Sequence, residues 1–417
     1  PRLAMLVKHY AMDPGRFVHH ALRTLNANTH NGATSRPGAI IIGTGLSGLT
    51  AALTLIDRGA HVIIIDKQGY MGGNSGYASS GINAAKDEAF EEGKDSSEMF
   101  ANDMRKSSGI AEGRDHPSKR LIPVLTSKSF KALEYAKSRV GVQLNEVGQL
   151  GGHSFARTYR PSTGMAGSEL IFAISKLVKS YVGTQAEIKL KTKAVKLLVD
   201  SEGKAIGVKC KSLKTGTEED LFADNVIVAT GGFASDRTEQ SLLKSFRPEL
   251  ASLPSTNGEF STGDGHRIIM AAGGGTVDME HVQVHPTAFV DPKDPTAIKK
   301  TLCAEILRGV GGIVLNRHGK RFVDELGTRK HIVDQMQAEA GSDKLQFTIV
   351  LSPAMAAITD KHVPHYTKKG LLKGFESLEE LASWMGVDAS VVKTTVREYN
   401  EFAERGEDPF GTRYFKN

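Results

Sequence analysis

Residues 39–52 read AIIIGTGLSGLTAA, a four-residue apolar run that passes without interruption into three spaced glycines and then into a small-residue stretch. An apolar strand followed by G-x-G-x-x-G and a helix is the dinucleotide-binding turn, and each glycine has its own task. Gly43 permits the tight bend, Gly45 lets backbone approach a pyrophosphate, and Gly48 lets the helix pack close to the strand. The helix N-terminus then presents unpaired N–H groups to the phosphates. A second apolar run, HVIII (61–65), ends in Asp66, 18 residues after Gly48, where a carboxylate accepts hydrogen bonds from a ribose. The chain is therefore expected to be α/β, with a Rossmann-like domain near its start.

At 417 residues the chain exceeds one ordinary core and predicts two domains. The segment THNGATSRPG (29–38) reads as a boundary, so residues 1–36 are expected to be a linker or extension. They do not resemble a signal peptide, and the chain starts at Pro1 as though cut. His19 and His20 are adjacent, would point about 100 degrees apart on a helix, and read as solvated linker residues. No metal site is expected. Hydrophobic residues make up 40% and charged ones 24%, a soluble composition, and no apolar run nears the roughly 20 residues of a membrane span. The net charge of +6 is scattered without basic runs, which argues against nucleic acid and suits steering of small anions. Two cysteines, Cys210 and Cys303, exclude a disulfide framework and point to a reducing compartment, cytoplasm or organelle matrix. They exclude an internal c-type haem as well, so the electron donor must be another cofactor, another domain or another protein.

Segments beyond the fingerprint favour FAD over NAD. The loop GGNSGYASSGINA (72–84) is a long run of small residues whose amides can reach a large cofactor, and VIVATGGF (226–233) repeats the strand-then-glycine pattern. Between them, residues 194–199 and 205–209 flank the turn Asp200-Ser-Glu-Gly203 and read as a hairpin. In TGDG (262–265) an acid stands between two glycines, an arrangement that is equally a plain turn. The residues expected to hold the cofactor are Gly43, Gly45, Gly48, Asp66, Lys67, Gly73, Asn74, Ser75, Ser80, Gly81, Ala194, Val195, Thr230, Gly231 and Asp264.

With HVQVHPT (281–287), AEILRGVGG (304–312) and GKRFVDELGTR (319–329), these motifs resemble the fumarate reductase and succinate dehydrogenase flavoprotein superfamily, its soluble branch in particular, over residues 37–417. The resemblance implies a glutathione-reductase-type FAD domain at 37–279 with an inserted α+β capping domain at 280–417. In the membrane-bound branch a His holding FAD covalently stands eight residues before the loop's Ile; counting back from Ile82 reaches Asn74, so noncovalent FAD is expected. Asn31-Gly-Ala-Thr34 is a near miss to a covalent FMN site of some relatives, with Asn in place of Ser.

Taken alone, His285, Glu305, Arg308 and Arg329 are charged groups near turns, suited to an anionic alkene and equally to surface ion pairs. The resemblance implies that His285 hydrogen-bonds a substrate carboxylate, that Arg329 protonates the substrate, and that Glu305 and Arg308 return the proton. Ala304 stands where some relatives place a carboxylate-binding Thr. The implied reaction is reduction of fumarate to succinate by hydride transfer from flavin N5. The alternatives are reduction of urocanate or another acrylate, 3-ketosteroid dehydrogenation, or a flavin-binding fragment without turnover, since a later substrate His and a carboxylate-clamping Arg implied by the resemblance do not occur before Asn417.

Overall fold

A computed structural model of the protein describes residues 36–86, 93–109, 116–341, 346–359, 361–412 and 414–415. The expectations for His19, His20 and the 31–34 motif lie outside the described residues. The chain forms two compact units, one made of residues up to Tyr77 with Gly167–Val282, the other of Ala78–Ala166 with Gln283–Asn417.

The first unit is built on the strand-glycine-helix signal. Strand β1 (Ala39–Ile42) leads through the glycine turn into helix α1 (Leu46–Ile56) and on to β2 (Val62–Asp66). β1 pairs in parallel with β2, with Ala39 opposite Val62 and Ile42 opposite Ile65. Ile40, Ile41, Ile64 and Ile65 are fully buried, which is why the strands read as unbroken apolar runs and not as alternations. Each such side chain contributes about 1.5–3 kcal/mol by leaving water. Two further strands, β6 (Ala186–Leu190) and β10 (Val226–Val228), complete a parallel sheet of order β10-β1-β2-β6.

The expected hairpin is present as β7 (Thr192–Val199) and β8 (Ala205–Ser212), extended by β9 (Glu218–Phe222) into an antiparallel meander. Ala194, Val208, Cys210 and Ala223 join Ile40, Ile42, Ile63 and Ile65 in one core cluster. That cluster also takes in Ile268 of the helix Asp264–Ala271, so TGDG is a helix start with Gly263 as its left-handed N-cap.

The second unit opens with a small antiparallel sheet of β3 (Ile82–Asn83), β5 (Thr158–Arg160) and β4 (Glu146–Gly148), in that order. Helices at Ser97–Ser108 and Ser118–Tyr135 follow β3. After residue 283 come a short helix at Ile306–Gly309, the strand pair Ile313–Leu315 with Thr348–Val350, and a run of helices to Arg405. Their N-caps follow the expected chemistry: Ser96, Thr328, Ser352, Ser377 and Asp388 each accept a backbone N–H of the first turn.

The sequence places one boundary near 279–280, close to the observed step at 282–283. It does not foresee that Ala78–Ala166 leaves the first unit. The cause is pairing at long range: Asn83 lies opposite Thr158, Gly152 N–H donates to Leu326 O at 2.9 Å, and the Tyr414 hydroxyl donates to Ser154 O at 2.7 Å.

Candidate active site

In the first unit the glycine turn, the ends of β1 and β2, the 73–75 segment, the start of β7 and residues 229–231 line one cleft. The empty space within it is about 890 Å3, open solvent at the mouth included. The three fingerprint glycines are needed for different reasons. Gly43 has φ +109°, and a Cβ there would lie 2.3 Å from Ala229 O. A Cβ on Gly48 would lie 2.0 Å from Gly43 O, so the helix could not approach the turn. On Gly45 it would meet Ser75 Oγ at an ordinary 3.5 Å. Protein packing therefore leaves the space beside Gly45 free for a ligand.

Asp66 sits at the tip of β2. Its Oδ2 accepts from the Thr44 amide at 2.8 Å and hydroxyl at 2.5 Å, and its Oδ1 accepts from the Gln68 amide at 2.8 Å. Lone pairs remain on the carboxylate for a ribose. Lys67 Nζ donates to Thr262 Oγ1 and pairs with Asp264 Oδ2, each at 2.6 Å, and Lys193 Nζ lies 3.3 Å from Asp264 Oδ1. Burial would raise the Asp264 pKa, but the hydrogen bond and charge of Lys67, with Lys193, outweigh it and hold the carboxyl below its usual range. Asn74 spends its amide inside the protein, donating to Asn257 Oδ1 and Ser261 Oγ and accepting from Gly258 N. Ser75 Oγ accepts the Leu46 N–H at 3.1 Å.

Of the expected cofactor residues, Gly43, Gly45, Asp66, Lys67, Gly73, Asn74, Ser75, Ala194, Thr230, Gly231 and Asp264 line this cleft. Gly48 stands behind the turn, and Val195, the extra residue of a β-bulge between Ala194 and Lys196, is 40% exposed and not on the lining. Ser80 and Gly81 belong to the second unit, where Gly81 is demanded by packing: at φ +143° its Cβ would lie 2.5 Å from Tyr159 O. Thr44, Lys193 and Phe260, with Tyr70 and Tyr77 against the Phe260 ring, were not expected from the sequence. The Thr44 signal lay inside the fingerprint, and nothing local marks the others.

In the second unit the four charged residues of 281–329 come together. Glu305 N-caps the helix Ile306–Gly309, which puts Arg308 one turn on, and Arg329 is the first residue of the helix Arg329–Ala340. Glu305 Oε2 accepts from Arg329 Nη2 at 2.8 Å and lies 4.0 Å from Arg308 Nη2. Arg329 Nη1 donates to Gln283 Oε1 at 2.8 Å and its side chain stays 42% exposed, whereas Arg308 is 1% exposed. Arg308 Nη1 donates to Glu325 O, but its Nε and Nη2 make no hydrogen bond among the described residues, a rarity for a buried guanidinium.

His285 Nδ1 lies 2.8 Å from Thr287 O and 3.2 Å from Thr287 N. Burial first, then the charges of Arg308 and Arg329, depress His285 to about 4, so the ring is neutral at pH 7. Burial alone would raise Glu305, and Arg308 and Arg329 more than offset it, keeping the carboxyl ionised. Burial lowers the Arg308 pKa, which makes that guanidinium a readier proton donor than a solvated one. Ala304 is fully buried and gives its N–H to the Tyr366 hydroxyl, so position 304 offers no hydroxyl of its own.

Residues 38–415 match the family model described as FAD binding domain. The chain is 38% identical over 386 residues to the fumarate reductase of Schizosaccharomyces pombe, covering 90% of this chain and 73% of that protein. It is 34% identical to fumarate reductase 1 of Saccharomyces cerevisiae, covering 91% and 80%. The chain belongs to the fumarate reductase flavoprotein family. Among solved structures, the open conformation of a flavocytochrome c3 fumarate reductase superposes with a TM-score of 0.65 at 25% identity, covering 95% of this chain and 66% of that one.

This fumarate reductase family member is accordingly an FAD-dependent oxidoreductase, and the cleft of the first unit combines a glycine turn, a helix N-terminus and the Asp66 carboxylate. No helix among its described residues is long and apolar enough to cross a membrane.

Proposed function

We propose that the protein reduces fumarate to succinate, with the charged cluster of the second unit binding the dicarboxylate and supplying the proton. The observation that carries this reading is the shared carboxylate of Glu305, bonded to a half-exposed Arg329 and next to a fully buried Arg308. FAD would be held noncovalently by Gly43, Gly45, Asp66, Lys67, Asn74, Ser75, Thr230 and Asp264, since the Asn74 amide lacks a nucleophile for a covalent link. When bound and reduced, it supplies the hydride for one alkene carbon.

Arg329 gives its proton to the other carbon. Its exposure suits contact with an incoming substrate, and Glu305 at 2.8 Å can return a proton to it without bulk water. Arg308 is next in line: a buried guanidinium with two unsatisfied donors, beside the same carboxylate, gives up a proton more easily than a solvated one. His285 Nδ1 lies 2.8 Å from the Thr287 carbonyl, which can only accept, so Nδ1 carries the proton of the neutral ring, and Nε2 donates to a substrate carboxylate once the arriving dianion has drawn a second proton onto the ring. The cationic groups stabilise charge that develops on the carboxylate as hydride arrives. The name of another relative, the urocanate reductase of Eggerthella lenta, marks the nearest alternative substrate class. Two arginines suit a dianion, whereas a 3-ketosteroid requires apolar walls.

The test is steady-state turnover of the full-length protein with a reduced dye as donor, offering fumarate, urocanate and a 3-ketosteroid in turn. The reading requires succinate formation from fumarate at a kcat/KM at least about tenfold above either competitor, a difference of about 1.4 kcal/mol in transition-state binding. A preference for urocanate or the steroid would overturn it.

A further inference from the structure

One end of the Glu305 carboxylate is committed to Arg329, and the other is taken by a segment that the reaction does not otherwise use. Oε1 accepts the N–H of Gly151 at 2.9 Å. The next residue, Gly152, turns left-handed at φ +76° and donates its own N–H to Leu326 O at 2.9 Å, three residues before Arg329. Two successive amides of one turn thus tie the carboxylate and the approach to the arginine it serves. Gly151 does not need to be glycine for backbone freedom. It needs to be glycine for closeness, because a Cβ there would lie 3.0 Å from Glu305 Oε1 and 3.0 Å from Gly327 O.

A buried ionic network holds this turn. Arg157, 1% exposed, donates Nε and Nη2 to the two oxygens of Asp95 at 2.9 and 2.6 Å and Nη1 to Asp103 Oδ2 at 2.5 Å, with the Phe100 ring 4.9 Å away. Asp103 also accepts the amide and hydroxyl of Ser154 at 2.8 and 2.5 Å, which pins the far side of the turn. Arg157 Nη1 lies 3.1 Å from His153 Nδ1, so that nitrogen must be an acceptor and the ring neutral; burial lowers the pKa of His153 in the same sense. Such a network costs desolvation and is weak evidence of stability, but it is well suited to specifying one geometry.

We propose that the Gly151–Gly152 turn, braced by Arg157, Asp95 and Asp103, is a positioning element for the proton relay: it holds Glu305 with Oε1 occupied and Oε2 aimed at Arg329. The proposal rests on the relay reading of Glu305. No residue of the turn touches the reacting atoms; the turn acts through the carboxylate.

The experiment is Gly151→Ala in the full-length protein, assayed with a reduced dye and fumarate across pH, alongside Glu305→Gln and the double variant. The added methyl displaces Oε1 from its donor, so kcat should fall about 10- to 100-fold while KM changes less than about threefold. A carboxylate that loses a hydrogen-bond donor holds its proton more tightly, so the limb of the pH–kcat profile set by Glu305 should move to higher pH. The double variant should be no slower than Glu305→Gln alone, because both changes act through one group. Ser154→Ala loosens the turn without touching Glu305 and should give a smaller loss of the same kind, which keeps the test open if Gly151→Ala folds poorly. Unchanged kcat, a loss with an unshifted pH profile, or a double variant slower by the product of the single losses would overturn the proposal. Full turnover in Glu305→Gln would instead remove the relay reading beneath it.

Discussion

His285 and Glu305 carry opposite formal charges when ionised, yet the same cluster drives both toward their deprotonated forms. His285 titrates near 4 when folded, against about 6.5 when unfolded. Its neutral form is the stabilised one, so its contribution is complete above about pH 6.5 and is lost as pH falls toward 4. Glu305 is also depressed, so its contribution is complete above its unfolded value of about 4.3 and is lost below that as pH falls through the folded pKa. The melting temperature of the parent should drop on acidification from pH 7 to 4.5, and His285→Gln should flatten that slope; an equal slope in both would refute the assignment. At the other site, Asp66→Ala removes the acceptor of three protein hydrogen bonds and the proposed acceptor of the ribose hydroxyls, and should weaken FAD binding by about 1–3 kcal/mol, read from flavin released on dilution.

The legibility of these residues in the sequence follows their chemistry. Asp66 shows itself by its place at the end of the second apolar run, whereas Glu305 taken alone reads equally as a surface ion-pair partner and was singled out only through the family resemblance. Lys193 reaches Asp264 across 71 positions and Gly151 reaches Glu305 across 154, so neither has a local signature.

At the scale of elements, the fingerprint separates into two glycines with unlike failures. Gly48→Ala drives a Cβ to 2.0 Å from Gly43 O and should destabilise even the FAD-free protein by about 1–3 kcal/mol through overpacking. Gly45→Ala meets nothing closer than 3.5 Å, so the FAD-free protein should melt within a degree or two of the parent while FAD binding falls at least tenfold. Melting curves with and without FAD distinguish the two, and equal effects from both substitutions would contradict the division of roles.

The β1, α1, β2 unit and the β7–β8 hairpin were legible because each has a run long enough to show its period or its unbroken apolarity. The β3, β5, β4 sheet was not. Its strands are two or three residues long, too short for any period, and its register is set by contacts 75 positions apart, such as Asn83 with Thr158. That sheet is what carries Ala78–Ala166, and with it Ser80 and Gly81, into the second unit.

For the whole molecule, the net charge of +6 predicts a fumarate KM that rises with ionic strength, several-fold between about 10 and 300 mM salt, while kcat changes little. A flat KM would mean that steering by the overall field is negligible. The central claim concerns Arg329, because charge on the substrate is shared among several groups whereas one group delivers the proton. The most direct measurement is stopped-flow reoxidation of the reduced flavin by fumarate in the parent, Arg329→Ala and Arg329→Lys. Both variants should bind FAD and accept electrons from a reduced dye, yet reoxidise about 10²- to 10⁴-fold more slowly, the usual worth of a positioned acid. Lys should rescue poorly, since it keeps the charge but loses the planar fork that bridges Glu305 and Gln283. Reoxidation of Arg329→Ala at a rate near the parent's would contradict the account and take this residue out of the mechanism.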